Sequence, residues 1–378
     1  MATNGNPPLS TLTALRRELE VLAAIEQSEA PFVSCYVDLE RGPAGCRDRL
    51  EKRARALRAT LPEPMRLDFD AALAPLARFL NDGLHPEARG LAIFSRSVYG
   101  GAFFLPLQFA APLPDALTAG PVPDLFQLAA LQDRYHRFVV LLATQRSVSV
   151  LEVDLGAASL VAWLGSAATA AARRARPRVE PEPAGESWLA RAVTLVERVV
   201  AERGHTHLMV AGDPDVTAAC RRALPAPLRE ILVATIAANE RHAIADIVAA
   251  TTSVFVDWEE RESQAIAARF VDAVRNNGPA AVGASACFEA LRARQAKLLL
   301  LARGRRPQPG WRCTACSAMR LRRIPPAACP ECGRHSVWRT DESVELVRLA
   351  RQRDCAVEFV EHCDPLMALG GVGCVLKQ

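Results

Sequence analysis

The chain has 378 residues, is 50% hydrophobic and carries a formal net charge of only +4, enough material for two or three ordinary domains. No apolar run approaches the roughly 18 residues that a membrane-spanning helix needs. The opening Met-Ala-Thr-Asn-Gly-Asn-Pro-Pro has neither the basic nor the apolar part of a signal peptide, so the expectation is a cytoplasmic protein with no membrane partner.

Three segments follow in chain order. In the first, to about residue 132, Leu12 to Gln27 has helical periodicity and Phe32 to Asp38 reads as a strand. Two helices are expected over 46–61 and 65–82. Buried strands follow at Leu91–Phe94 and Ala102–Leu105. Pro106, Pro112, Pro114, Pro121 and Pro123 remove backbone donors, so 106–124 is expected to be a linker or edge extension. The second segment, 133–255, opens with strands at 138–143, 148–155 and 160–164. A loop at 166–187 is rich in Ala, Arg, Pro and Glu. A helix at 188–203 and strands at 207–212 and 231–236 then indicate a mixed α/β sheet. The third, 256–378, alternates helix (258–276, 283–294, 342–353) with strand (297–301, 356–360, 373–376), an α/β/α sandwich. The fold class is thus α/β in three domains, with an insertion at 307–339.

That insertion carries the strongest motif. Cys313-Thr-Ala-Cys316 and Cys329-Pro-Glu-Cys332 are separated by twelve residues, the spacing of a zinc ribbon. Four thiolates would close a tetrahedron around one Zn2+, a structural site with no open position. Cys35, Cys220, Cys287 and Cys374 lie in apolar runs and read as small hydrophobes in a reduced protein. Around the ribbon, Arg303, Arg305, Arg306, Arg312, Arg320, Arg322, Arg323, Arg334 and Arg339 face a single acid, Glu331. Arginine forks match phosphate oxygens, so this charge points to nucleic acid, with folded RNA favoured over DNA; a merely solvated surface is the alternative.

Weaker constellations compete with plain structural roles. His205-Thr206-His207 is a possible metal pair, but alternating histidines at a strand start more often share one face as ordinary polar residues, and no third ligand is evident. Asp38 and Asp154 fall at strand ends, where turn roles are expected. Ser34 and Cys35 lack an identifiable base and read as strand core. The helix bearing Arg47, Arg49, Lys52, Arg53, Arg55 and Arg58 is either a solvated face or a second RNA contact.

The third segment resembles the C-terminal domain of the eukaryotic and archaeal class-I peptide release factor and its relative Pelota. The resemblance lies in Cys287-Phe288-Glu289-Ala290-Leu291 leading to Lys297–Leu301, in the inserted zinc-binding unit, and in the ending Leu369-Gly370-Gly371-Val372-Gly373-Cys374-Val375-Leu376-Lys377. The middle segment is similar to that family's ribonuclease-H-like domain. The first, with Ser34–Asp38, resembles the N-terminal domain of bacterial members, which include the Balon-type hibernation factors. The resemblance implies a ribosomal A-site partner and a translational GTPase such as elongation factor Tu. The family's Gly-Gly-Gln hydrolysis motif is absent: Gly100-Gly101 and Gly370-Gly371 are followed by Ala102 and Val372. Its codon-reading Asn-Ile-Lys-Ser motif is absent too. The loop equivalent to the hydrolytic one carries Arg173, Arg174, Arg176 and Arg178, which contact ribosomal RNA or are solvated. The expectation is a non-catalytic ribosome-binding factor of hibernation or rescue; the alternative is a peptidyl-tRNA hydrolase with a rearranged loop.

Overall fold

The computed structural model describes residues 7–98, 101–145, 147–165, 178–179, 188–239 and 242–377. The chain divides into two compact units, one of 1–134 with 260–378, the other of 135–259. The described residues are mixed α/β with four sheets. Among the described residues no helix is long and apolar enough to cross a membrane.

In the first unit, β1 (Phe32–Asp38) is central. It pairs antiparallel with β2 (Gly90–Val98) and β4 (Ala116–Gly120), and β3 (Gly101–Phe109) is the far edge. Of the two expectations for the proline-rich stretch, linker or edge extension, the edge is the one observed. Pro106 lies within β3, where an edge strand tolerates the missing donor, and Ala116–Gly120 completes the opposite edge. Helices α2 (Pro43–Thr60) and α3 (Glu63–Asp82) pack on this sheet, and α1 (Leu12–Ala24) packs against α4 (Phe126–Arg134). Cys35, Val37, Leu76, Leu80, Leu91 and Ile93 form one core between α3 and the strands.

In the second unit, β5 (Phe138–Ala143), β6 (Ser147–Asp154) and β7 (Ala157–Gly165) form an antiparallel meander, with the short β8 (Arg178–Val179) on the outer edge. After α5 (Trp188–Arg203), β9 (Leu208–Gly212) pairs parallel to β5. After α6 (Pro214–Ala223) and α7 (Ala226–Glu230), β10 (Leu232–Ala237) pairs parallel to β9. Alternation assigns Val139, Leu141, Leu208 and Val210 to the core under α5 and α6. Phe138, Val140, Met209 and Ala211 face the opposite side, with Ile247, Val248 and Phe255. Those last three belong to α8 (Ile244–Arg275), 32 residues long. The expected helix starts at 258. The β-branched run at its beginning masks a helical face that Ile247, Val248, Thr251 and Phe255 reveal by burial.

The rest of α8 belongs to the first unit. There Ala267, Phe270 and Val271 pack on Leu300, Ala302 and Val360. The sheet order is β11 (Ala280–Val282), β17 (Val372–Leu376), β12 (Ala296–Ala302), β16 (Ala356–Val360). Helices α9 (Ala284–Arg292), α10 (Glu342–Gln352) and α11 (Asp364–Ala368) complete it. Gly373 has no room for a side chain: a Cβ would sit 2.1 Å from the Phe270 ring. Between β12 and α10 the chain departs into a three-stranded sheet of β14 (Met319–Arg320), β13 (Pro309–Cys313) and β15 (Val337–Asp341).

Candidate metal centre and arginine surface

The two cysteine pairs sit on two turns of the same construction. In the first, Ser317 N–H donates to Cys313 O at 3.0 Å and Cys313 N–H to Ala318 O at 2.8 Å. In the second, Gly333 N–H donates to Cys329 O and Cys329 N–H to Arg334 O, both at 2.8 Å. The fifth residue of each turn is left-handed, Ser317 at φ 62° and Gly333 at φ 71°. Glycine adopts that conformation without strain, whereas Ser317 holds it against its own preference. Each turn thereby aims two sulfurs at the other pair.

The sulfurs converge. Cys313 Sγ lies 3.7 Å from Cys332 Sγ, Cys316 Sγ 3.6 Å from Cys329 Sγ, and all four lie within 4.8 Å of one another. A disulfide would require about 2.05 Å. A tetrahedron with metal–sulfur bonds of about 2.3 Å sets sulfurs about 3.8 Å apart. The donor set therefore fits a metal ion as it stands, with Cys313 and Cys329 buried and Cys316 and Cys332 exposed. Trp311, Ala318 and Val337 pack around it.

The ribbon is also tied into the first unit. Trp338 joins Val33, Leu61, Phe69 and Ala72 in one apolar cluster. Gln27 donates to Thr314 O at 2.9 Å and Ser317 Oγ at 2.7 Å, and its Oε1 accepts from Arg312 Nε at 2.7 Å.

These anchors divide the arginines. Arg305 and Arg312 are buried in ion pairs rather than exposed as free surface charge. Arg305 forks onto Glu342 and Arg312 pairs with Glu345, with side chains only 5% and 10% exposed. Both carboxylates lie in the first turn of α10, where the helix dipole favours negative charge. Burial pushes the Glu342 carboxyl up from its ordinary value, while the Gln308 N–H and the Arg305 charge pull it back. A count of charges along the sequence does not reveal these pairs, because the acids lie 37 residues from Arg305 and 33 from Arg312. Arg306, Arg320, Arg322, Arg323, Arg334 and Arg339 are exposed, and Arg320 contacts Glu331. Arg173, Arg174 and Arg176 lie outside the described residues; Arg178 is in β8, and its side chain is not described.

On the basic helix α2, Arg49 pairs with Asp115 at 2.6 Å and Arg58 with Asp70 at 2.9 Å, so part of that charge serves the fold. Asp38 caps a turn by accepting from Glu40 N–H at 2.9 Å. Ser34 and Cys35 are fully buried strand residues, and burial pushes the Cys35 thiol up to about 12, which leaves it inert. His205 and His207 do not share a face. His205 precedes β9, is buried, and its Nε2 lies 3.4 Å from Glu152 Oε1, whereas His207 packs against Phe255 and Trp258. The strand begins only at Leu208, so strand alternation does not govern the pair.

Comparison with known proteins bears mainly on the second unit. Residues 123–254 match the model of bacterial archaeo-eukaryotic release factor family 10. None of the curated proteins matches the chain. Among solved structures, Pelota from Archaeoglobus fulgidus is 12% identical, with 98% of this chain and 93% of that chain covered and a TM-score of 0.37. An archaeal Pelota in a ribosome-bound model with ABCE1 is 13% identical over 98% and 95%, TM-score 0.42. Dom34 of S. cerevisiae is 9% identical over 76% and 80%, TM-score 0.40. These structural likenesses are too loose to place any residue. Through residues 123–254 the chain is similar to the bacterial archaeo-eukaryotic release factors and is, over that span, release-factor-like.

Proposed function

We propose that the protein is a non-catalytic, ribosome-binding translation factor acting in rescue or hibernation at the A site. Its four cysteines hold a structural Zn2+, and the exposed ribbon arginines lie against ribosomal RNA. The family match over 123–254 carries this reading. The strand order of the second unit, a three-stranded meander flanked by two parallel strands, supports its ribonuclease-H-like character. The matched archaeal Pelota is ribosome-bound, and Dom34 is described as a translation termination-like factor in RNA quality control that interacts with Hbs1. For this chain the corresponding partners are the ribosome and a translational GTPase such as elongation factor Tu.

The chemistry supports occupancy without turnover. Peptidyl-tRNA hydrolysis needs a positioned water at the ester, and the sequence offers no Gly-Gly-Gln element to position it. Arginine is permanently protonated and cannot act as a base. The test is paired: co-sedimentation with ribosomes, and peptide release from programmed ribosomes carrying labelled peptidyl-tRNA. Binding without release above background is expected. Failure to co-sediment would overturn the proposal, and robust release would replace it with the hydrolase alternative.

A further inference from the structure

A second cluster of ligating side chains lies in the other unit, and the release-factor reading does not use it. His136 lies two residues before β5, and His207 immediately precedes β9. These strands are parallel neighbours with Val139 opposite Leu208, and Val139 N–H donates to His207 O at 3.0 Å. The register therefore brings both histidines to the same end of the sheet. Their rings stack with centroids 5.9 Å apart and planes 16° from parallel. Glu259 reaches the same place from α8, and its Oε1 is 2.8 Å from His136 Nδ1. One ligand atom from each of the three lies within 4.8 Å of the others.

The surroundings suit an ion. Thr206 Oγ1 is 3.0 Å from His207 Nδ1. With Nδ1–H donating to that hydroxyl, Nε2 presents its lone pair, the arrangement in which ligating histidines are held. Trp258 and Phe255 meet the His207 ring edge-on at 5.0 and 5.3 Å, a dry wall on one side. Burial lowers the His207 pKa and so favours the neutral, ligating imidazole. The Glu259 side chain is 12% exposed, whereas His136 is 35% exposed and marks the solvent side. The proton between His136 and Glu259 occupies the place an ion would take; opening that pair from 2.8 Å to about 3.3 Å accommodates bonds of about 2.0–2.2 Å.

We propose that His136, His207 and Glu259 bind a divalent transition-metal ion of the zinc class, with a coordination position left open toward solvent. Two imidazoles and a carboxylate favour such ions over Mg2+ or Ca2+, which prefer all-oxygen sites. Unlike the four-cysteine centre, three protein ligands leave room for water or a donor atom of a small molecule.

Cobalt separates the two sites in one sample. The full chain, stripped and reloaded with Co2+, should bind two ions. One should show thiolate-to-cobalt charge transfer; the other should show only weak d–d bands. Glu259→Gln and His207→Ala should each bring the count from two to one with the charge-transfer intensity unchanged. The loaded wild type should also shield His136 and His207 from diethyl pyrocarbonate, read by peptide mass, which decides the matter even if a variant fails to fold. A wild type that binds one cobalt and leaves both histidines open to the reagent would overturn the proposal. So would retention of two ions in both variants, and the release-factor reading would stand unaffected.

Discussion

The ribbon and the sheet from which it emerges are built by different means. In the β11-β17-β12-β16 sheet, Phe270, Leu300, Val360 and Leu366 are 2% exposed or less and form a continuous apolar core with α8 and α11. The ribbon's own cluster is five residues, of which two are the candidate ligands Cys313 and Cys329. Its remaining support comes from outside: Trp338 in a neighbouring apolar cluster, and Arg312 on Glu345. A region with so little apolar area cannot offset its chain entropy unaided. A metal at the four cysteines, as proposed, would take over that task together with the anchors, and would leave the solvent side of the ribbon free to be almost wholly cationic.

The ribbon should part from the sheet first on loss of metal. Cys329→Ser, or chelation, should unfold the turns between 313 and 336, because zinc–thiolate binding supplies roughly 10 kcal/mol or more to such modules. Trypsin should then cut at Arg320, Arg322, Arg323 and Arg334, while the β12 sheet stays resistant; a ribbon that remains resistant without metal would contradict the division. Glu345→Ala leaves Arg312 buried without its carboxylate and should cost about 3–5 kcal/mol. Urea unfolding followed through Trp338 and Trp311 measures it. Leu300→Ala, on the apolar side of the comparison, should cost about 2–5 kcal/mol and leave zinc stoichiometry at the cysteines unchanged. Loss of the metal on this substitution would show that the two regions fold as one.

A smaller effect is pH-dependent. Burial raises the Asp124 pKa to about 6, with Asp341 adding to it and the Phe126 N–H opposing it. The folded state therefore binds the proton more tightly than the unfolded chain, whose pKa is about 3.9. This contribution to stability is complete below about pH 4 and is lost as pH rises through 6. Asp124→Asn should thus gain on the wild type between pH 4 and 7, by about 1–3 kcal/mol. A stability difference that stays flat over that range would refute the assignment.

Long regular elements were legible where periodicity and apolar runs agree: Phe32–Asp38, Trp188–Arg203 and Ala356–Val360 fall where the pattern sets them. The cysteine spacing likewise announces its cluster. What escaped the sequence depends on pairing at a distance. Ala116–Gly120 is a strand only because β1 offers it an edge. Arg305 and Arg312 count as free cations until α10 presents its acids. His136 and Glu259 are separated by 123 residues, and nothing local shows that they meet; the one available hint was that His136 and His207 both lie within two residues of the start of an apolar strand.

The proposed function turns on exposed ribbon arginines holding ribosomal RNA. Co-sedimentation with ribosomes across a salt series, for the wild type and for Arg320, Arg322 and Arg323 all replaced by alanine, tests it most directly. These side chains are exposed, so the triple variant should lose no more than about 0.5 kcal/mol of stability per site and keep its zinc. Each lost phosphate contact should flatten the slope of log affinity against log salt by about 0.7–0.9, up to about 2–3 in all, with weaker binding at every salt concentration. An unchanged slope and affinity in a folded, zinc-loaded triple variant would contradict the account.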